Sequence, residues 1–177
     1  MVWVRSEYAG ELAVLSTWVT ALLPWNVFYG VVGGGTALFI RFPLLQIRYT
    51  TGIPLVQATT LSDPVSAYLL QAGTSVQVAY GLWVVGAAVY LVALAASVYY
   101  YRNEAAAESW SVDPVSLLGG LLVASAVAFL ASSALFPERL FGLSLGLGGG
   151  LPGVSVPVGA VIQLALGGVL LRAERVA

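Results

Sequence analysis

Residues 76 to 101 read VQVAYGLWVVGAAVYLVALAASVYYY, a run without a single charged side chain. A helix needs ~20 apolar residues to cross the hydrocarbon of a bilayer, and this stretch exceeds that. A core helix of a soluble domain keeps one polar face, and none is written here. Tyr99, Tyr100 and Tyr101 close the run and Arg102 follows at once, the order of an aromatic belt backed by a cytoplasmic charge. The stretch reads as a membrane span, and the rest of the chain is read outward from it.

The composition points the same way. Of 177 residues, 59% are hydrophobic and 8% charged, with a mean hydropathy of +0.92, against roughly a quarter charged in an ordinary soluble domain. Seven basic residues against eight acidic ones leave a net charge of −1, so no basic field draws nucleic acid. The basic residues are all Arg, at positions 5, 41, 48, 102, 139, 172 and 175, and His, Cys and Lys are absent. Those absences remove the usual zinc, haem and iron–sulfur ligands, the His-based triad and the thiol nucleophile. They also remove a lysine Schiff base and any disulfide. No cofactor or metal is expected.

On the N-terminal side, a polar lead with Trp3, Arg5 and Glu7 precedes an apolar run from Leu12 to about Gly30. Acidic residues stand before it and no small-residue cleavage site follows, so it reads as an uncleaved anchor over 11–30. Pro24 falls in its last third and predicts a kink, with Trp25 and Tyr29 at the far interface. Asn26 is a candidate intramembrane polar contact; the plainer reading is an interface-level cap.

Residues 31–75 form the first outer loop. Such length without structure is rare, and Ala37–Phe42 and Leu44–Thr50 are rich in β-formers. With Gly33-Gly34-Gly35 before them and Thr51-Gly52 after, they predict two strands. Arg41, Phe42, Arg48 and Tyr49 are the candidate interaction surface. The two arginines are read either as anion or headgroup contacts or as charges that snorkel or pair locally. Ser62-Asp63-Pro64 predicts a capped helix start. The second span is 76–101 and 102–113 is a short polar inner loop.

The third span, 114–136, opens on Asp113-Pro114 and carries Ser116, Gly120, Ala124, Ala128 and Ser132 at every fourth position. Small residues at that spacing let another helix approach closely, so these five are the candidate packing seam. The second outer loop, 137–153, is apolar and Gly-rich. Alternation over Phe141–Leu147 allows a strand, and Gly148-Gly149-Gly150 lacks the Lys-Ser/Thr of a phosphate loop. The last span is 154–171, with Gln163 as a mid-span amide suited to an interhelical hydrogen bond. Arg5, Arg102, Arg172 and Arg175 gather on one side, which places both termini in the cytoplasm of a multi-pass cell-membrane protein.

The fold expected is a mainly α integral membrane protein: a four-transmembrane-helix bundle with a small extracytoplasmic β-structure from the two outer loops, in one domain over 1–177. MVWVRSEYAGELAVLSTW at 1–18, LLPWNV at 22–27, IRFPLLQIRY at 40–49 and DPVSAYLLQAG at 63–73 resemble an uncharacterised four-span membrane-protein family of halophilic archaea. That resemblance implies a location and adds no catalytic residue. In architecture alone the chain resembles the claudin-type tetraspans, which implies an outer sheet used in cell contact. It departs from their Trp-Gly-Leu-Trp motif and paired Cys, since Gly81-Leu82-Trp83 falls inside the second span and Cys is absent.

The function expected is non-enzymatic: an interaction or scaffold component acting through the outer loops and the seam, in contact with lipid and with a protein partner or a second copy of itself. An accessory subunit of a larger complex is the alternative, and a small transporter or channel is a third.

Overall fold

The computed structural model describes residues 4–6, 8–53, 57–107, 109–143 and 151–175. In chain order the elements are β1 (Val4–Ser6), α1 (Ala9–Leu22), β2 (Asn26–Val32), β3 (Gly35–Arg41), β4 (Gln46–Thr51), β5 (Thr59–Ser62) and α2 (Pro64–Leu70). There follow α3 (Gln77–Arg102), α4 (Glu104–Ala107), α5 (Pro114–Leu135), β6 (Glu138–Leu140), β7 (Leu151–Val156), α6 (Val158–Leu170) and β8 (Ala173–Arg175).

The expected four-transmembrane-helix bundle, and with it the four-span, tetraspan description, is corrected by these boundaries. Among the described residues only α3 and α5 are long and apolar enough to cross a membrane, by length and composition. The first and last helices, α1 and α6, have 14 and 13 residues, about 21 and 20 Å at 1.5 Å per residue. Pro24 ends the first run rather than kinking it. Leu23, the residue before it, is extended with ψ 130°, as proline demands of its predecessor. The β-branched and aromatic NVFYGVV then forms β2. At the other end of the chain, LPGVSV forms β7 where the start of a helix was expected.

The β-structure is accordingly larger than two loop strands. One six-stranded sheet has the order β5-β4-β3-β2-β7-β6, antiparallel except for the parallel pair β6–β7. Gly33 and Gly34, at φ 59° and 85°, make the two-residue turn between β2 and β3, where both central positions need positive φ. A strand over Phe141–Leu147 does not form in its first part: 141–143 turn back on Leu140 through a single bridge. The remainder, with Gly148-Gly149-Gly150, lies outside the described residues. A second, two-stranded pair joins β1 to β8 in parallel.

α3 and α5 form the axis of the bundle, with α1 and α6 against them. Gly86 lies under the Phe129 ring and Gly119 lies against Gly167 and Leu170, sites where a Cβ would come within 3.0 Å of its neighbours. The sheet caps the end at which α1 and α5 finish and α3 and α6 begin. β1–β8 and α4 lie at the opposite end, where Gly10 packs against Tyr100. Asp63 caps α2 by accepting from the Val65 and Ser66 amides. Asp113 caps α5 by accepting from the Ser116 amide at 2.8 Å.

Candidate functional site

Strand pairing sorts the side chains of the sheet into two unlike faces. Directly opposite residues share a face, so Asn26–Arg41–Gln46 form one rung across β2, β3 and β4. This rung faces the bundle. Arg41 is 1% exposed, Asn26 0% and Gln46 1%, so a guanidinium sits fully enclosed where sheet and helices meet. Burying a cation is costly unless its donors are satisfied, and the surroundings supply acceptors. Arg41 Nη1 donates to Asn26 Oδ1 at 2.8 Å and Nε to Gln46 Oε1 at 3.2 Å.

The network reaches the helices from there. Asn26 Nδ2 donates to Ser133 Oγ of α5 at 2.8 Å and to Ser155 Oγ of β7 at 2.7 Å. The Tyr80 hydroxyl of α3 donates to Gln46 Oε1 at 3.5 Å. The guanidinium carbon lies 3.9 Å from the centroid of the Phe136 ring, a cation–π contact strengthened by exclusion of water. Three strands and two helices are thereby tied to one side chain. Beneath the junction, Trp25 stacks on Phe129 with centroids 5.1 Å apart and tilts against Trp83 at 6.2 Å.

Across β5, β4, β3, β2 and β7 the opposite face carries no charged residue, while the edge strand β6 sets Arg139 in register with Val154. In the row nearest the bundle stand Val156, Val27, Ile40, Ile47 and Leu61; the next holds Val154, Tyr29, Leu38, Tyr49 and Thr59. A third row, farthest out, has Val31, Thr36 and Thr51, whose two threonine hydroxyls bond each other. Tyr29 is 62% exposed and Leu61 72%. Beside the sheet edge, α2 exposes Val65, Leu69 and Leu70. An apolar groove of about 590 Å³ runs between α2 and the first turns of α3, lined by Tyr68, Gln77, Val78, Leu82 and Val85 among others.

The candidate interaction surface therefore divides. Arg41 lies in the junction. Arg48 also points to the bundle face, half-buried with its guanidinium 5.0 Å from the Phe39 ring. Phe42 is half-buried in the β3–β4 turn, its amide donating to Leu45 O. Tyr49 alone stands on the outer face. The two amides singled out in the sequence do not meet: Asn26 belongs to the junction, while Gln163 is in the bundle and donates through Nε2 to Leu122 O at 3.1 Å. Gln46, Ser133 and Ser155 complete the junction beyond the residues expected from the sequence. Period-two alternation from Arg48 back to Gln46 carried a signal for the first; nothing local marked the two serines.

A model of a family of unknown function, DUF7549, matches residues 2–175. The chain belongs to this family. No curated protein matches it. In this DUF7549 chain the five seam positions also lie differently from one another. Ser132 is buried and its hydroxyl donates to Ala79 O of α3 at 2.7 Å, and Ala128 lies beside Gly86. Ser116 and Gly120 are partly exposed, Ala124 is exposed, and a Cβ on Gly120 would meet nothing within 4 Å. On α5 the close approach to α6 runs through Gly119 instead. No group of three or more His, Cys, Asp or Glu that could hold a metal forms among the described residues.

Proposed function

We propose that the protein is a multi-pass membrane protein in which α3 and α5 cross the bilayer, and that it acts without catalysis as a scaffold presenting its sheet on the outer side. The membrane reading is supported by the outward faces of the helices. Val78, Val85, Leu91, Val92 and Val98 on α3, and Leu12, Leu15 and Val19 on α1, are exposed and apolar, the reverse of a soluble bundle. Polar groups turn inward: Ser125 Oγ donates to Gly86 O, Ser132 Oγ to Ala79 O and Trp18 Nε1 to Ser97 Oγ. Hydroxyls and amides used this way hold helices together in lipid. Arg102 and Arg172 lie at the end of the bundle opposite the sheet, together with the backbone of Arg5 and Arg175, which favours cytoplasmic termini.

The observation that carries the scaffold reading is the Arg41 junction. A sheet hinged on flexible loops would need no buried cation, whereas this one is locked to both crossing helices. The partner surface lies at the open β5 edge and the exposed leucines of α2. Intact-mass determination after gentle purification from native membranes tests it, comparing the parent with Leu69→Glu and Leu70→Glu. Loss of a co-purifying partner or of a homo-oligomer at unchanged abundance supports the reading, and assemblies indifferent to both changes refute it. A second reading, an accessory subunit, draws on the outward-facing middle of the seam. There Gly120→Ile would release a partner without weakening the fold.

A further inference from the structure

The two short helices raise a question of length. About 30 Å of hydrocarbon has to be matched by apolar surface, and α1 and α6 supply about 20 Å each. Both run directly into neighbouring strands of the sheet: α1 into β2, and β7 into α6. These strands pair with each other, Val27 opposite Val156 and Tyr29 opposite Val154. On the outside, the exposed Leu22 of α1 is followed by Val27, and Val156 by the exposed Val158, Val161 and Ile162 of α6. The apolar surface passes from helix to strand without a polar break.

Depth along α3 gives an independent measure. Tyr100 and Tyr80 are separated by about 30 Å at 1.5 Å per residue. With the tyrosines at 99–101 in one headgroup layer, Tyr80 therefore marks the other boundary of the hydrocarbon. Tyr80 bonds Gln46, so the Asn26–Arg41–Gln46 rung lies at that boundary. The outer rows then begin at the boundary and continue beyond it, and their chemistry changes in the order of an interface. The first is wholly aliphatic. Tyrosines enter in the second, and threonines occupy two of three places in the third. An aromatic layer between aliphatic and polar ones is how membrane proteins meet headgroups.

We infer that the bundle-proximal rows of the outer sheet face lie against lipid, completing in β-structure the surface that α1 and α6 leave short. The occupant of this face is the acyl–headgroup boundary of the bilayer, and the inference rests on the membrane reading above. Open strand edges are not tolerated in hydrocarbon, so the lipid contact is confined to the inner strands β4, β3, β2 and β7. β2 lies between β3 and β7 and has its backbone paired on both sides, while β5 and β6 hold the edges.

The test is a depth measurement on the full chain, which has no Cys of its own. Single variants Val27→Cys, Tyr29→Cys and Val31→Cys carry a nitroxide label in vesicles of phosphatidylcholine and phosphatidylglycerol. Collision rates with oxygen and with a water-soluble nickel complex report depth. The expected result is an oxygen-to-nickel ratio that falls severalfold from 27 through 29 to 31. Ile40→Cys, Leu38→Cys and Thr36→Cys repeat the ladder on β3 should a β2 variant fail to fold. Labels accessible to nickel at every position would put the face in bulk water and overturn the inference. Labels shielded from both reagents would mean a protein covers it, a second copy or another chain, and would also overturn it. Val85→Cys and Val92→Cys on α3 separate the two levels. If these too are open to nickel, the membrane reading fails; if they are lipid-exposed while residues 27–31 are not, only the present inference fails.

Discussion

The long helix pair and the short one have the same apolar character and opposite fates. In α3 and α5 nothing interrupts the run until charged or polar residues end it, and the helices lie against each other along Gly86, Ala128 and Phe129. In α1 and α6 the apolar run continues while the backbone changes from helix to strand, at Pro24 and Pro157. Gly159 marks how tightly the two transitions meet. Its amide donates to Pro24 O, and a Cβ there would overlap that oxygen. The difference teaches that apolarity sets where a segment goes and leaves its backbone open. Proline and β-branched composition decide the backbone.

If the short pair owes its place to the sheet, the largest effect falls on the junction. Arg41→Met strands the buried Asn26 Oδ1, at about 1–3 kcal/mol, and leaves Gln46 Oε1 with the Tyr80 hydroxyl as its donor. It should lower the thermal midpoint of the purified protein by many degrees; an unchanged midpoint would mean the sheet is held by something else. Packing comes next. Gly119→Val pushes a side chain into Leu170 and the Gly167 carbonyl and should cost about 1–3 kcal/mol, detaching α6 before α3. Gly120→Val, one residue on and facing open space, should stay within about 0.5 kcal/mol. Equal costs at the two sites would show that the helix face is assigned wrongly.

A smaller loss belongs to Gln163→Leu. A single interhelical bond to Leu122 O is worth about 0.6 kcal/mol and at most about 1.7 in such a setting. Chemical denaturation in mixed micelles can resolve it against the parent. The least effect is expected at Asp63, whose carboxyl is held below its ordinary range chiefly by the Ser66 hydroxyl and then by the Ser66 amide. Because the folded pKa is lowered, the cap contributes fully above the usual carboxylate range and is lost as pH falls through the depressed value. Asp63→Asn should flatten that acid-side decline in stability, and a decline of equal slope in both proteins would remove Asp63 from its cause.

Much of the outer chain was legible. Arg41 ends a strand and the Gly33-Gly34 turn precedes it, as composition and turn chemistry require. The caps at Asp63 and Asp113 follow from Asp-Pro at a helix start. The first and last helices are shorter than their hydropathy implies because a window of hydropathy does not distinguish NVFYGVV as strand from the same residues as the end of a helix. Alternation in that heptapeptide, buried at 26, 28 and 30 and more open between, held the missing signal. The junction was legible only in part. Asn26 and Arg41 stood out as polar groups in apolar text, but Ser133 and Ser155 lie more than a hundred residues from Asn26 and acquire meaning only from tertiary approach.

The strand order carries a consequence for biosynthesis. β2 emerges early and pairs at once with β3, but its second edge waits for β7, which is made after all of α3 and α5. Until then the growing chain carries an unpaired, apolar edge, the kind of surface that recruits foreign strands. A nascent chain arrested before residue 151 should therefore be the aggregation-prone form of this protein. Arrival of β7 would close the sheet and bring α6 into place in the same event.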